Sequence, residues 1–455
     1  MIHVSLKSPK NVLVHARTLG TGRLKEQITK TEKAMNKNIM KGLLAGIIAL
    51  FTVSCGTANK ATTPDEATKG DIQQELDNDY LILSDAQRSM IDRNNAFGLR
   101  LFNKVAGMDS KVVSPLSVSY LMAMLANGAD GETRQQILST LGWSGADLAE
   151  TNDLCRLLLE KEGRLDPSVT INTANYVAVS RQLSLKEAFK QAVGSHFQAG
   201  IDVLDFASPK ALSTINGWCN KQTHGMIPSI INKLSPQEQA ILMNAIYFNG
   251  TWSNKFDKHD TRTEPFKGYT RDIKRVQMMH QKDEFQYAED SLLTAIQLPY
   301  GNNTYSMTVL LPRNGVSTGE VMQTLSPSRL HQLDDKMEKC VVDLKLPRFS
   351  TEAEIPLNDV IAQLGAPIIF EGGLADFSLM ADGGLAVSRM FQKAKIDVAE
   401  EGTKAAAVTA AMIVTTSLYQ PKPREVNFYA DHPFIYLIKE RSSGAILFIG
   451  QYTGE

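Results

Sequence analysis

Residues 393–411 read KAKIDVAEEGTKAAAVTAA, and the rest of the chain can be interpreted outward from this stretch. At its start, the apolar residues Ala394, Ile396 and Val398 alternate with charged ones. Such alternation predicts a β-strand that buries one face. The run of alanines that follows could, by propensity alone, be a short helix or a linker.

Two features of the alanine-rich run favour a third interpretation, a segment that moves. It continues the predicted strand through Gly402, which can act as a pivot because glycine adopts backbone angles that other residues avoid. Every second residue after that pivot is small and uncharged, namely Thr403, Ala405, Ala407, Thr409 and Ala411. The lone charge, Lys404, falls on the other face, so the small face could enter a packed sheet without overpacking it. The sequence thus predicts an exposed segment that is suited to burial.

The composition is that of an ordinary globular protein. The chain has 455 residues, 43% of them apolar, with a formal charge of −1 and a pI of about 6.7. It therefore has no electrostatic footprint for a nucleic acid. Length alone would suggest about two or three domains. From about Asp85 onward, however, the sequence shows no linker, repeat or low-complexity break, so we expect a single domain over residues 85–455.

The four cysteines, Cys55, Cys155, Cys219 and Cys340, form no metal or redox motif. None belongs to a Cys-x-x-Cys pair, and no histidine lies at metal-ligand spacing. If Cys55 carries a lipid, three scattered thiols remain, which suits buried side chains better than a disulfide framework. We expect no metal and no cofactor.

The amino terminus has the layout of an export signal. From Met35, a short basic region leads into an apolar stretch at residues 42–53, which ends just before Cys55. The stretch is too short for a stable membrane span, and its ending resembles a bacterial lipoprotein signal, whose cysteine becomes the lipidated first residue. Thr52 stands where such signals usually have leucine, and the alternative is an ordinary cleaved signal with a chance cysteine.

We therefore divide the amino-terminal region into three parts. Residues 1–34 lie upstream of the true start or are unstructured, and residues 35–54 form the lipoprotein signal peptide. Residues 55–84, rich in Thr, Ala, Asp and Lys, form a flexible tether. This division predicts an exported protein that is anchored to a membrane through Cys55, either in the periplasm or on the cell surface.

Helical spacing dominates the first half of the folded part. Residues around Phe97 recur four apart on one apolar face, and Pro115 stands in the first turn of a further helix. Thr133 and Gln136 have the spacing of a capping box for a helix that Gly142 would close.

Strand patterns dominate the second half. Val342, Leu344 and Leu346 alternate with residues of an opposite face, and the apolar segments 298–300 and 307–311 flank a hairpin signal. Helices first and strands later indicate an α+β fold.

Six motifs in order resemble those of the serpin family of serine protease inhibitors, and the likeness runs from about residue 90 to 452. They are Val113–Ser117 with Leu125–Ala129, Gly131–Thr133, Ile215–Trp218 with Thr223–Ile227, Asn244–Trp252, Glu400–Ala407 and Phe428–Ile435. Each motif alone would be a weak signal, whereas six in the right order are very specific. The resemblance implies a helix-rich first half and a large central mixed sheet with an exposed reactive-centre loop.

The resemblance also implies a mechanism. In serpins, a target protease attacks one bond of the reactive loop and becomes acylated by it. The freed loop then inserts as a new central strand, and the protease is carried to the far pole and deformed before the ester can hydrolyse. We therefore expect an irreversible, suicide-type inhibitor of serine endopeptidases, with cysteine endopeptidases as a further class. The chain would be a monomer that forms a covalent complex, and it would not itself be an enzyme.

Particular residues fall where the family places its working parts. The hinge falls at Glu400, Gly402, Thr403, Ala405 and Ala407, the breach at Arg348 and Trp252, and the shutter at Ser114, Ser117, Asn244 and Gln392. In the breach, Arg348 and Glu400 would form a cation–carboxylate pair that keeps the top of the sheet closed. The alternative is an ordinary surface pair beside a core aromatic. Gln392 departs from the family, which usually has histidine there; glutamine can also donate and accept hydrogen bonds, but it does not titrate.

Two counts along the sequence give different positions for the scissile bond of the reactive loop. The residue on the acyl side of that bond is called the bait residue below. Counting from Glu400 as about the seventeenth residue before the cut gives Thr416 and Ser417, whereas counting back from the carboxy-terminal motif gives Lys422. We favour the hinge-side count, because the length of the inserted strand is what the trap has to fix. Small and branched residues there suit an elastase-like protease. Alternative bait residues are Met412, Val414, Leu418 and Lys422.

Two rival functions remain. A non-inhibitory serpin, acting as a binding or chaperone module, would share the fold. A bulky or charged inserting face, or a proline in the hinge, would favour it, and the sequence has neither. A hydrolase would need an activated nucleophile with an oriented base, but no Gly-x-Ser-x-Gly, His-Glu-x-x-His or Walker motif is present.

Overall fold

The structure of the protein is a computed structural model that describes residues 80–269, 273–403 and 422–454, with Thr403 described by its backbone only. These residues belong to one compact unit. The predicted signal peptide and Cys55 lie outside the described residues, as do residues 404–421. Among the described residues, no helix is both long enough and apolar enough to cross a membrane.

The described residues form helices and strands throughout their length. The helices are α1 (Asp85–Val105), α2 (Pro115–Gly128), α3 (Gly131–Leu141), α4 (Leu148–Lys161), α5 (Glu187–Phe197), α6 (Pro209–Gln222), α7 (Thr318–Thr324), α8 (Pro327–Lys336) and α9 (Asn358–Leu364). The strands are β1 (Lys111–Val113), β2 (Val169–Ser180), β3 (Ser184–Leu185), β4 (Gly200–Leu204), β5 (Ala240–Thr251), β6 (Arg262–Lys267), β7 (Ile273–Glu289), β8 (Leu293–Pro299), β9 (Tyr305–Pro312), β10 (Glu338–Pro347), β11 (Phe349–Pro356), β12 (Ala381–Asp382), β13 (Val387–Val398), β14 (Gly402–Thr403), β15 (Glu425–Tyr429), β16 (Phe434–Glu440) and β17 (Ile446–Tyr452).

The strands form two large sheets and one small one. A six-stranded sheet, called the central sheet below, has the order β11-β13-β5-β2-β4, with β14 paired to β5. It is mixed, because β13 runs parallel to β5 while β2 and β11 run antiparallel to their neighbours β5 and β13. A nine-stranded sheet has the order β1-β17-β16-β9-β8-β7-β10-β15, with β6 on β7, and β3 pairs with β12. The boundary between β13 and β5 is called the seam below.

The two faces of the seam belong to two different cores. Leu242 and Ile246 of β5 and Ala394 of β13 join the main core. Ala245 of β5 and Phe391 of β13 instead join a second cluster, which they share with α6. This division follows from the pleat, since successive side chains of a strand point to opposite faces.

Most local expectations from the sequence are confirmed. Helix α2 begins at Pro115 with Ser114 as its N-cap, and α3 ends at Gly142 in the left-handed conformation with φ of 76°. The predicted hairpin is formed by β8 and β9, which pair antiparallel. The alternating strand of the opening stretch is β13, with Ala394, Ile396 and Val398 buried.

One local prediction is wrong, the capping box of α3. The N-cap is Asp130, and no side chain caps the helix there. The Thr133 hydroxyl instead accepts a hydrogen bond from the Asp376 N–H at 2.9 Å, so a tertiary contact has taken the capping group. The sequence pattern also did not reveal β2, which lies in the predominantly helical first half and pairs with β5 along most of its length.

The cysteines of the described residues match the prediction of buried thiols. Cys155, Cys219 and Cys340 are buried and free. Burial raises the pKa of the Cys219 thiol to about 12, so it is protonated and unreactive at neutral pH.

Candidate functional site

The chain turns back where β13 ends and the alanine-rich segment begins. The Ala399 N–H donates to the Gly402 carbonyl at 2.8 Å, and the Gly402 N–H donates to the Ala399 carbonyl at 3.0 Å. After this turn, β14 runs antiparallel to β5, with Gly402 opposite Thr251 and Thr403 opposite Gly250. The hinge therefore lies at the top of the seam, where Gly402 and Thr403 are paired with β5.

Only glycine fits at Gly402. Its φ is +130°, a conformation that other residues rarely adopt. A Cβ at this position would lie 2.1 Å from the Gly250 carbonyl oxygen and 2.7 Å from the Thr251 Cα. The close approach of the hinge to β5 thus depends on this glycine, and its role as a pivot stays a prediction.

The carboxylate of Glu400 lies buried beneath this turn, with its side chain 2% exposed. Arg348, between β10 and β11, pairs with both carboxylate oxygens, its Nε donating at 3.1 Å. The Thr261 hydroxyl donates to the same carboxylate at 2.7 Å. Burial alone would raise the pKa of Glu400, but these hydrogen bonds outweigh it and hold the pKa below its usual value. The predicted cation–carboxylate contact is therefore formed, with the carboxylate ionised at neutral pH.

Trp252, which follows β5, binds the other side of the turn. Its indole N–H donates to the Ala399 carbonyl at 2.9 Å, and its backbone N–H donates to the Glu401 carbonyl at 3.0 Å. The ring stacks on Tyr300 with 4.3 Å between centroids and 13° between planes. Main-chain and side-chain bonds thus tie the end of β13 to the end of β5.

Further down the seam, the predicted shutter residues form a buried chain of hydrogen bonds. Gln392 Oε1 accepts from the Ser114 N–H at 2.8 Å, and Gln392 Nε2 donates to the Ser114 carbonyl at 3.0 Å and to Asn244 Oδ1 at 3.2 Å. Asn244 in turn donates to Asn175 Oδ1 of β2 at 2.9 Å, and the hydroxyls of Ser114 and Ser117 lie 3.1 Å apart. Gln392 both donates and accepts, so it bridges β13, α2 and β5 without a titratable group.

The far end of the alanine-rich segment is attached at β15. The Arg424 carbonyl accepts from the Val341 N–H of β10 at 2.9 Å. Its guanidinium donates to Glu338 at 3.2 Å and pairs with Glu289. Residues 404–421 thus connect an anchored hinge to an anchored strand.

The structure separates the predicted site residues into groups. Hinge and breach residues Glu400, Gly402, Arg348 and Trp252 lie together at the top of the seam, and the shutter residues lie together lower down. Lys422 is described and exposed. The other predicted positions lie outside the described residues: Ala405, Ala407, Met412, Val414, Thr416, Ser417 and Leu418.

Four residues take part without having been predicted, namely Asn175, Gly250, Thr261 and Tyr300. Asn175 had a weak signal, because it is a polar residue inside a buried strand. That signal alone does not assign Asn175 to the site, because its partner Asn244 is known only from the pairing of β2 with β5. Thr261 has no local pattern, and Gly250 and Tyr300 lie in segments that the sequence assigned to a family motif and to a hairpin but not to the site.

The fold and the site together define the class of this protein. Strand β13 of the central sheet leads directly into a segment whose first residues, Gly402 and Thr403, pair with β5 as a further strand. The chain belongs to the serpin family, because the family model described as Serpin (serine protease inhibitor) matches residues 92–454. The predicted family and the predicted fold class are thereby confirmed.

Individual relatives agree with this assignment. The leukocyte elastase inhibitor of Homo sapiens is 34% identical over 378 residues, which cover 79% of this chain and 98% of that protein. The solved structure of tengpin, a thermophilic serpin in the native state, has a TM-score of 0.74 and 27% identity, and covers 82% of this chain and 95% of that one. Thyroxine-binding globulin in complex with thyroxine has a TM-score of 0.71 and 26% identity, and covers 80% and 98%.

Proposed function

We propose that this protein is an irreversible inhibitor of serine endopeptidases that traps the acyl-enzyme by inserting its cleaved loop into the central sheet. Cysteine endopeptidases, which also form an acyl-enzyme, are a further target class. The observation that carries the proposal is the pairing of Thr403 with Gly250, because it sets the register in which the loop would continue. The protein is consumed in this reaction and does not act as an enzyme.

In this register, the small residues of the loop would lie on the face that becomes buried on insertion. If β14 continues along β5, Ala405 comes opposite Phe248 and Ile396, and Thr409 comes opposite Asn244 of the shutter. Residues directly opposite in neighbouring strands share a face. Phe248 and Ile396 belong to the main core, so the odd-numbered loop residues would enter that core. They are the small, uncharged residues of the sequence pattern.

The length of the sheet supports Thr416 as the bait residue. In the same register, Ala240 at the start of β5 comes opposite residue 413. A cut after Thr416 leaves about 10 Å of extended chain below the sheet, whereas a cut after Lys422 leaves about 30 Å. Only the short connection would hold the protease against the body of the inhibitor. We therefore propose cleavage between Thr416 and Ser417.

Lys422 and Arg424, the two basic residues at the far end of the loop, are poorly placed for attack. The side chain of Arg424 is engaged by Glu338 and Glu289, and its main chain leads directly into β15. The bond after Lys422 has Pro423 on its leaving side, and proline lacks the N–H that an extended substrate offers. Both observations disfavour a trypsin-like target.

We expect an elastase-type protease to form an SDS-stable covalent adduct with this protein. Threonine fits the narrow pocket of such enzymes, and the leukocyte elastase inhibitor is a relative over nearly its whole length. Mass spectrometry of the adduct should find Thr416 acylating the protease. The variant Thr416→Arg keeps the loop length and should move adduct formation from elastase to trypsin.

The rival proposal is a binding protein without inhibitory activity, since thyroxine-binding globulin shares the fold. It predicts that a panel of elastase-, chymotrypsin- and trypsin-type proteases would yield cleaved chain and no adduct. The uncharged inserting face favours inhibition over this rival, because nothing on that face opposes burial.

We also propose that the protein is exported and anchored to a membrane through Cys55. The proposal rests on the sequence pattern of residues 35–55 alone. Replacing Cys55 with Ala should move the protein from the membrane fraction to the soluble exported fraction, because the lipid would have no attachment point. Immunoblots of the separated fractions measure this, and unchanged partitioning of Cys55→Ala would reject the anchor.

A further inference from the structure

Helices α4 and α2 are fixed to β13 by hydrogen bonds between buried groups. Asn152 of α4 and Asn127 of α2 exchange two amide hydrogen bonds, each 2.8 Å long. Helix α2 is joined in turn to β13, because Gln392 accepts from the N–H of the N-cap residue Ser114 and donates to its carbonyl. These three elements therefore belong to one side of the seam.

Strand β2 belongs to the other side of the seam. It pairs antiparallel with β5, from Val169 opposite Gly250 to Val179 opposite Ala240. A loop that enters between β5 and β13 has to move β5 away from β13, and β2 moves with β5. Neighbouring strands lie about 4.8 Å apart, so the displacement has to be about that large. A bond between β2 and the two helices has to break or rearrange when the loop inserts.

Glu162, the C-cap residue of α4, makes such a bond. Its carboxylate accepts from the Thr173 hydroxyl of β2 at 2.8 Å and from the Tyr120 hydroxyl of α2 at 3.4 Å. Thr173 lies opposite Ile246 of β5, which belongs to the main core, so its side chain is on the core face of the sheet. The Glu162 carboxyl group thus joins β2 to the helices of the other side.

The surroundings of this carboxyl group are mainly apolar. The cavity beside it is lined by five leucines, namely Leu81, Leu116, Leu158, Leu165 and Leu447. Burial raises the pKa of Glu162 to about 7, because an ionised carboxylate loses its hydration there. The hydrogen bonds from Thr173 and Tyr120 favour the ionised form but offset only part of that cost. Glu162 therefore changes its charge near neutral pH.

Other charged and titratable groups lie around Glu162 and its partner on α2. They are Tyr120 of α2, Cys155 and Lys161 of α4, Asp166 of the loop before β2, Tyr305 of β9 and Glu440 of β16. Burial raises the pKa of the two phenols and of the thiol, so these three groups are neutral. The two other carboxylates accept hydrogen bonds from N–H and hydroxyl groups. Neither phenol nor thiol changes its charge between pH 5 and 8, where Glu162 does.

We propose that Glu162 is a latch on loop insertion that is operated by a proton. With the proton bound, the neutral carboxyl group stays in its apolar site and holds β2 to α4 and α2. Without the proton, the carboxylate regains water when β2 moves away, so opening of the seam relieves the cost of burial. Loop insertion therefore accelerates as the pH rises. The proposal rests on the proposed function, since it assumes that the loop enters the seam as a strand.

The range of pH follows from the two states of the carboxyl group. In the closed seam its pKa is about 7, whereas in water it has the ordinary value of 4.5. The closed state thus binds the proton more tightly, and opening becomes easier as the pH rises from about 4.5 to about 7, above which the effect levels off. Between pH 5 and 7.5, full hydration of the group in the open state would accelerate insertion by up to about fiftyfold.

A peptide with the sequence of residues 403–415 and blocked termini tests the latch without any protease. Its only ionisable side chain is Lys404, which stays charged over the whole range. Annealing of the peptide to the intact protein is followed over time on native gels from pH 5 to 8. We expect the rate to rise with pH in the unmodified protein and to stay slow in Glu162→Gln, because glutamine copies the neutral carboxyl group and does not titrate.

Glu160→Gln is the matched control. Glu160 lies on the same helix with its side chain 46% exposed, and it pairs with Arg156 at 3.3 Å. This variant removes one acidic group from α4 but leaves the latch in place, so its pH profile should match that of the unmodified protein. Urea unfolding at each pH checks that every variant is folded.

Thr173→Val gives a second, directional test. It removes the hydroxyl that favours the ionised form of Glu162, so the pKa of Glu162 should rise further. The increase in annealing rate should then move to higher pH. A purely structural contact would change the rate without moving this midpoint.

The outcomes separate the latch from the mechanism on which it rests. A rise with pH that Glu160→Gln keeps and Glu162→Gln loses supports the latch, as does a midpoint that moves upward in Thr173→Val. An undiminished rise in Glu162→Gln, or a flat profile of the unmodified protein, overturns the latch while strand insertion stands. Failure of the peptide to anneal to the unmodified protein at every pH contradicts strand insertion itself, and the latch then falls with the proposed function.

Discussion

Thr403→Arg is expected to abolish the SDS-stable adduct while leaving cleavage of the loop intact. Thr403 is the first loop residue paired with β5, and its partner Gly250 shares a face with Phe248 of the main core. An arginine there would bring an unpaired charge into the sheet at the first step of insertion. A cost of about 4 kcal/mol or more would slow insertion about a thousandfold, and deacylation would then release the protease.

Lys404→Arg is the control for this variant. It places the same side chain one residue further along the segment, on the opposite face, where the sequence already has a cation. Gels of each variant with an elastase should show adduct for Lys404→Arg and only cleaved chain for Thr403→Arg. Undiminished adduct from Thr403→Arg would show that the loop does not enter the sheet in the register proposed.

Cutting the loop within residues 404–416 is expected to make the molecule more resistant to heat. The cut frees the hinge-side piece to follow β14 between β13 and β5, where a new strand gains hydrogen bonds on both sides. At about 1 kcal/mol net for each bond, some ten added bonds amount to about 10 kcal/mol. A domain of about 370 residues unfolds with an entropy of about 0.8 kcal/mol/K, so we expect a rise in Tm of about 13 °C.

Thermal unfolding followed by circular dichroism before and after limited proteolysis measures this rise. The same cut in Thr403→Arg should produce no gain, because the strand cannot enter. This control separates insertion from any general effect of the cut, which in an ordinary protein loosens the chain. An unchanged Tm in the cut, unmodified protein would mean that the native sheet stores no energy for trapping.

Local patterns in the sequence predicted those elements whose cause is itself local. The alternation in β13, the first turn of α2 at Pro115 and the left-handed Gly142 each depend on a few neighbouring residues. The prediction of a capping box was wrong because the Thr133 hydroxyl accepts a hydrogen bond from the N–H of Asp376, a residue distant in sequence. Propensity and spacing cannot anticipate such competition.

The candidate site divides in the same way. The family motifs indicated Glu400, Arg348 and Gln392, and the structure shows the bonds that these side chains make. Asn175 and Thr261 could not be assigned to the site from the sequence, because their partners come from other strands and loops. The hydrogen bond from Lys393 Nζ to the Ser229 carbonyl was equally hidden, since its acceptor is a main-chain group that no residue type marks.

The sequence by itself determined that residues 403–411 have one small, uncharged face, because alternation is a property of consecutive residues. Only the tertiary structure decided where that face would go. Register depends on which distant residues meet, and the pairing of Thr403 with Gly250 is made by folding, across a separation that no local pattern spans. The closed state of the seam, with the Arg348–Glu400 ion pair and the hydrogen bonds of the shutter, is likewise a property of packed strands rather than of any one segment.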